Sequence, residues 1–306
     1  MIAVCTPTRN RRWAWEWSRM CLDLQDRQDF VWIIVDNSDD PAQSWEVAQS
    51  HPKVQYHVVP GKQTVGALRN RCLELALQTE AQYVVFWDDD DYYPPTRISS
   101  GIRALEQNPK AMYTGCSVLY LLLTHENLLL KVGPYGDQHS TAATWTIRRA
   151  LAETNRFDET AAKAEEASFT KEWRTPMAVV APEDTILVMG HSHNTVNKSQ
   201  VGKDPKRFLA STVNSANGKM VARVKWFQTP EVWDMWKSTF FGASNARLPA
   251  TTSGSPTTAS GAPAIVHTEG LASSDECHVD IPQLANAHLR GETAPESQLP
   301  VEESTE

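Results

Sequence analysis

The sequence predicts an α/β fold with a largely parallel central sheet, and two observations predict it. Short β-branched or aromatic runs recur at residues 2–5, 30–35, 54–59 and 83–87. Between them apolar side chains return at helical spacing, first Trp13, Trp17, Cys21 and Leu24, then Val65, Leu68, Cys72, Leu75 and Ala76. Strands that alternate with helices form βαβ units, which put parallel strands at the centre and helices on both faces. Such sheets bind ligands in the crevice beyond the carboxyl ends of their strands.

The second half reads as mixed. A helix is expected after Pro94-Pro95 and up to about residue 107. Apolar runs at 111–123 and 128–132 flank the turn-like Thr124-His125-Glu126-Asn127 and predict a hairpin, and residues 144–147 and 185–189 read as further strands. From Ala246 onward Thr, Ser, Gly, Pro and Ala dominate through Ala264, and no Phe, Trp or Tyr follows Phe241. A segment so poor in large apolar groups cannot offset the entropy of ordering its chain, so 246–306 is expected to be a disordered acidic tail behind a folded domain of residues 1–245.

Charge follows the same division. Of the formal −8, residues 246–306 hold −7 (nine Asp/Glu against Arg247 and Arg290), which leaves −1 for the body. With a near-neutral body, charge balance points to no particular partner: neither a basic nucleic-acid surface nor an acidic body is expected. Cys5, Cys21, Cys72, Cys116 and Cys277 are odd in number and form no C-x-x-C pair, so free thiols in a reducing compartment are expected. Residues 2–5 already read as a core strand, and no apolar run reaches the roughly 18 residues of a membrane span. A soluble, cytoplasmic protein without a transmembrane segment is the expectation.

The chemistry centres on the apolar run Tyr83-Val84-Val85-Phe86-Trp87, which leads without a turn residue into Asp88-Asp89-Asp90-Asp91. Four adjacent carboxylates repel one another, and a hard divalent cation offsets them, held by one or two protein oxygens and completed by substrate phosphates. Alternating positions suit Asp88 and Asp90 as the ligands of manganese or magnesium. A solvated acidic turn that caps the next helix is the plainer reading.

Other stretches carry polar groups to the same edge. Thr6-Pro7-Thr8 follows the first strand with a proline that fixes the backbone, and offers hydroxyls and amides where a nucleoside could lie. Asp36 ends the second strand, where it accepts from a base or ribose, or caps a helix near Pro41. Arg69, one turn into a helix, has the planar donor fork that suits phosphate, though it could equally form a surface ion pair.

In these residues the sequence resembles the GT-A glycosyltransferases, the nucleotide-diphospho-sugar transferases, and in particular the inverting family 2 type. Asp88-Asp89-Asp90-Asp91 matches the D-x-D-D strand end. Cys5-Thr6-Pro7-Thr8-Arg9-Asn10 and Val35-Asp36-Asn37-Ser38-Asp39-Asp40 look like the first and second strand loops, and Gly66-Ala67-Leu68-Arg69-Asn70 like the G-x-x-R-N helix start. The resemblance covers about residues 2–95, in the family's order. It implies a GT-A domain with a nucleotide-sugar half (1–95) and an acceptor half (96–245), Asp89 and Asp36 on the nucleotide, and Asp91 on the loop or the sugar.

The resemblance also implies a carboxylate base and a metal-binding histidine further on. Phe157-Asp158-Glu159 and Ala164-Glu165-Glu166-Ala167 look like the family's F-D-E and E-D, with Glu166 where an aspartate is usual. Glu166 is therefore the expected base and Glu165 the second choice, against two solvated glutamates on a helix. Gly190-His191-Ser192-His193 follows a late strand, so either His191 or His193 is expected on the metal. Trp145 is the best candidate to stack on a sugar ring, whereas Trp13, Trp15 and Trp17 read as helix packing. The basic stretch Lys198, Lys203, Lys206, Arg207, Lys219, Arg223 and Lys225 is either a lid over a diphosphate or a solvated face.

The expected activity is glycosyl transfer, of the hexosyl type, from a nucleotide-diphosphate donor, uridine-based, to the hydroxyl of an unidentified glycan or other acceptor. Two other readings stay open. A nucleotidyltransferase would share the sheet and the acidic site but needs a glycine-rich basic loop after its first strand, and residues 6–12 hold no glycine. A catalytically silent sugar- or metal-binding module would show binding without turnover.

Overall fold

A computed structural model describes residues 1–40, 48, 51–126, 128–161, 164–194, 198–204, 206–213, 226–227 and 229–241. These fall in one compact unit, Met1–Ala246. The predicted tail at 246–306, the helix start near Pro41, and Lys219, Arg223, Lys225 and Cys277 lie outside the described residues.

Four strands form the predicted parallel half: β1 (Ile2–Thr8), β2 (Phe30–Asp36), β3 (Val54–Val58) and β4 (Tyr83–Phe86). Helix α1 (Trp15–Asp23) follows β1, and α2 (Val65–Leu77) lies between β3 and β4. The chain then runs through α3 (Arg97–Gln107), β5 (Tyr113–Gly115), β6 (Leu119–Leu123), β7 (Leu128–Val132), β8 (Thr146–Arg148) and α4 (Arg149–Thr154). It continues through α5 (Glu166–Phe169), β9 (Met177–Val179), β10 (Leu187–Gly190), α6 (Ser199–Lys203), β11 (Ala210–Thr212) and α7 (Pro230–Phe241).

The main sheet has the order β3-β2-β1-β4-β8-β5-β9, and a second has the order β10-β6-β7-β11. β1 pairs in parallel with both β2 and β4, so the order reverses between β1 and β4 and opens a crevice at their carboxyl ends. β8 joins antiparallel to β4, which is the mixed character expected of the second half. The apolar run at 111–123 is not one strand: β5 enters the main sheet, and only β6 pairs with β7 as the hairpin. Cys116 and the turn beside it take the chain from one sheet to the other.

Alternation along the strands divides the core in two. Ile2, Val4, Trp32 and Ile34 pack with Trp15, Trp17, Ile98 and the aromatic residues of α7, whereas Ala3, Cys5, Ile33 and Val35 pack with Leu68, Cys72, Leu75 and Phe157. Cys5, Cys21, Cys72 and Cys116 are buried free thiols. Among the described residues no helix is long and apolar enough to cross a membrane.

Candidate active site

Strand register brings the polar groups together. Thr8 pairs with Asp36 across β1 and β2, and β4 ends at Phe86, with only Trp87 between it and the aspartate run. Tyr92, the residue after that run, then pairs with Leu187 of β10. Met189 N–H donates to Asp91 Oδ1 at 2.8 Å and Lys198 Nζ stands 3.8 Å from the same oxygen. Asp91 thus ties its loop to β10, and His191, which follows that strand, lies beside Asp90.

Each aspartate has its own surroundings. Asp88, the most accessible at 28%, has Oδ1 3.3 Å from Arg69 Nη2. Asp89 is fully buried; it accepts the Thr8 hydroxyl at 2.6 Å and pairs with Arg11 Nη1 at 2.5 Å. Asp90 Oδ2 has Arg11 Nη1 at 3.2 Å and both His191 Nε2 and Asn194 Nδ2 at 3.1 Å. Burial pushes Asp89 up to about 6 and Asp91 up to about 7, against the pull of Arg11 and Lys198 respectively. Burial acts on Asp90 too, but Arg11, His191 and Lys198 outweigh it and hold its carboxyl well below the usual range.

The second cluster is built on α2. A Cβ on Gly66 would lie 2.5 Å from the Asp158 carbonyl oxygen, so only glycine lets the helix approach this segment. Asn70 closes the contact: it accepts Phe157 N–H at 2.9 Å and donates to the Phe157 carbonyl and to Glu159 Oε1, each at 2.9 Å. One residue earlier Arg69, buried, pairs with Glu165 and lies 3.9 Å from Glu166 Oε1. Glu166 Oε1 also accepts Ala142 N–H at 3.3 Å. Burial, reinforced by the Glu165 charge and opposed by Arg69, raises Glu166 to about 7. A carboxylate so tuned can take a proton near neutral pH.

The donor set fits a divalent ion. Asp90 Oδ2 and His191 Nε2 supply a hard oxygen and an imidazole nitrogen side by side, a pair suited to manganese. Burial lowers the pKa of His191, against the opposing pull of Asp90, and favours the neutral ring that ligation needs. Among the described residues no three His, Cys, Asp or Glu side chains gather into a ready cage. Such an ion takes the rest of its shell from phosphate and water.

The profile of glycosyl transferase family 2 matches residues 3–156, half of the chain. The chain belongs to glycosyl transferase family 2. Its fold is the GT-A fold. No curated protein matches it. Among solved structures, S. aureus TarS is 20% identical over 61% of this chain and 36% of its own, with a TM-score of 0.43. Residues 1–349 of TarS in complex with UDP-GlcNAc give 19%, 65%, 60% and 0.44. A mannosyltransferase, PcManGT from Pyrobaculum calidifontis, in complex with GDP-Man and Mn2+, gives 15%, 68%, 61% and 0.48. The chain therefore spans less than two thirds of the length of these proteins.

Within this family frame the structure corrects several expected roles. Trp145 is fully buried among Phe86, Tyr113, Phe157 and Phe169, with its indole N–H on Ser140 Oγ, so it has no face for a sugar. Thr6 is also fully buried, and its hydroxyl accepts Trp32 Nε1 at 2.9 Å. Asp36 stands at the strand end as expected, but its carboxylate is buried and accepts Ser38 N–H and the Tyr56 hydroxyl. Arg69 is engaged by carboxylates rather than waiting for phosphate. Of the two histidines only His191 meets a carboxylate; His193 is exposed and packs against Trp13. The sequence reading missed Arg11, which follows no motif spacing and is placed only by the crevice between β1 and β4.

Proposed function

We propose that the protein transfers a glycosyl group, with inversion, from a nucleotide-diphosphate sugar, uridine-based, to an acceptor hydroxyl. The observation that carries this is the pairing of two clusters through Arg69: Asp88 to Asp91 with His191 on one side, Glu165 and Glu166 on the other. Asp90 and His191, with Asp88 beside them, would hold a manganese or magnesium ion. When bound, such an ion neutralises charge on the leaving diphosphate.

The chain's own residues do the rest. Glu166 takes the acceptor's proton as the hydroxyl attacks the anomeric carbon, while Ala142 N–H and Arg69 hold its carboxylate. Arg69 keeps the base and the aspartates at a set separation. Thr8 holds Asp89, and so the loop that faces the nucleotide. Residues 1–245 serve as the transferase domain, with 96–245 as the acceptor half.

Screening nucleotide sugars for manganese-dependent release of free nucleotide tests this reading. One donor or a few related donors should be turned over by the full chain. If none is hydrolysed or transferred with any divalent ion, the reading fails. Binding of a nucleotide sugar without turnover, unchanged by Glu166→Gln, would instead favour a silent binding module.

A further inference from the structure

Arg11 is placed where a cation would have to go. Its Nη1 lies 2.5 Å from Asp89 Oδ1 and 3.2 Å from Asp90 Oδ2, and its Nη2 donates to the His193 carbonyl at 3.3 Å. With His191 Nε2 and Asn194 Nδ2, it puts three nitrogen atoms around the single oxygen Asp90 Oδ2. Once His191 Nε2 binds the same ion it no longer donates, so Arg11 and Asn194 fill the roughly two lone-pair sites of this oxygen, and a metal ion on it must displace one of them. Two positive charges sharing one oxygen also repel strongly in a water-poor site.

Of those donors Arg11 is the one suited to leave. Asn194 is tied at both ends, accepting His191 N–H at 2.7 Å and donating to the Met189 carbonyl at 3.1 Å. The His191 ring is 3% accessible and sits edge-on to Trp13. The Arg11 side chain is 17% accessible and long, and its guanidinium fork matches a diphosphate.

We infer that Arg11 is a tethered counter-ion of the metal site: it holds Asp90 while the donor is absent, yields that oxygen to the cation, and turns to the donor's diphosphate. Cation and nucleotide therefore bind far better together than either does alone. The inference rests on the nucleotide-sugar reading above.

Mn2+ titrations of the full chain, followed by calorimetry with and without uridine diphosphate and corrected for the ion's association with free nucleotide, test it. Wild-type protein should bind Mn2+ weakly alone and more tightly with the nucleotide. Arg11→Met should bind Mn2+ alone at least about tenfold more tightly than wild type, and the nucleotide's effect on Mn2+ should shrink by about the same factor. Arg11→Lys, which keeps the charge, should stay near wild type for Mn2+ alone. Because Arg11→Met strips buried Asp89 of its ion partner, Arg11→Gln is titrated beside it with the same expectation. If the neutral variants bind Mn2+ alone within about twofold of wild type while nucleotide still tightens the wild-type protein, the role of Arg11 is overturned and the metal reading stands. If no protein binds Mn2+ with or without nucleotide, both fall.

Discussion

Arg69 and Glu165 form a buried ion pair, each side chain 6% accessible, that ties α2 to the start of α5, which carries Glu166. Asp88 holds the other arm of the same guanidinium, so one cation serves both halves of the site. Removing it leaves carboxylates without their counter-charge, which is far costlier than losing a surface pair. Arg69→Met is expected to lower the unfolding free energy by about 3 kcal/mol in a urea titration. A loss under about 1 kcal/mol would mean that solvent already screens the pair.

Glu166 gives a pH signature with two parts. As a base raised to about 7, it should make kcat/KM rise with pH through neutrality, and Glu166→Gln should lower kcat by about 10²- to 10⁴-fold with little change in nucleotide affinity. Stability should run the other way. A carboxyl raised on folding contributes stability that is fully present below its unfolded value and lost as pH rises through about 7. Glu166→Gln, neutral throughout, should therefore gain about 1–2 kcal/mol on wild type between pH 5.5 and pH 8. A gain independent of pH would show that the folded carboxyl titrates at its ordinary value.

The parallel half of the sheet was legible because short runs rich in β-branched and aromatic residues alternate with stretches of helical period. The aspartate run, Glu166 and the pair His191 and His193 stand out as candidates because they follow such strands or a recognisable motif. What stayed hidden depended on depth and on partners distant in sequence. Trp145 and Thr6 look available in sequence, yet Thr6 lies within β1 and Trp145 immediately before β8, where packing takes the polar atom of each. The meeting of Arg11 with Asp89 joins residues 78 apart and needs the strand order itself.

Trp145 is then a residue of the core under the site. Trp145→Ala should cost about 3–5 kcal/mol of stability, read from the denaturation midpoint. The milder Trp145→Phe keeps most of the volume and should leave the donor KM within about twofold of wild type. A selective rise in acceptor KM for Trp145→Phe, with stability intact, would restore the sugar-platform role.

His191 and His193 are two residues apart, but only one faces the aspartates. His191 Nε2 lies 3.1 Å from Asp90 Oδ2, whereas the His193 ring lies outside, 5.6 Å from Trp13 between ring centres. His193 contributes to the site through its backbone carbonyl, which receives Arg11 and survives any side-chain change. Loss of one ligand from a divalent site typically weakens it by an order of magnitude or more, so His191→Ala should raise the Mn2+ concentration for half-maximal turnover by about tenfold or more. His193→Ala should leave it within about twofold. The reverse pattern in a Mn2+ titration of the two variants would place the ligand on the outer ring and require the 191–194 turn to reorganise when the ion binds.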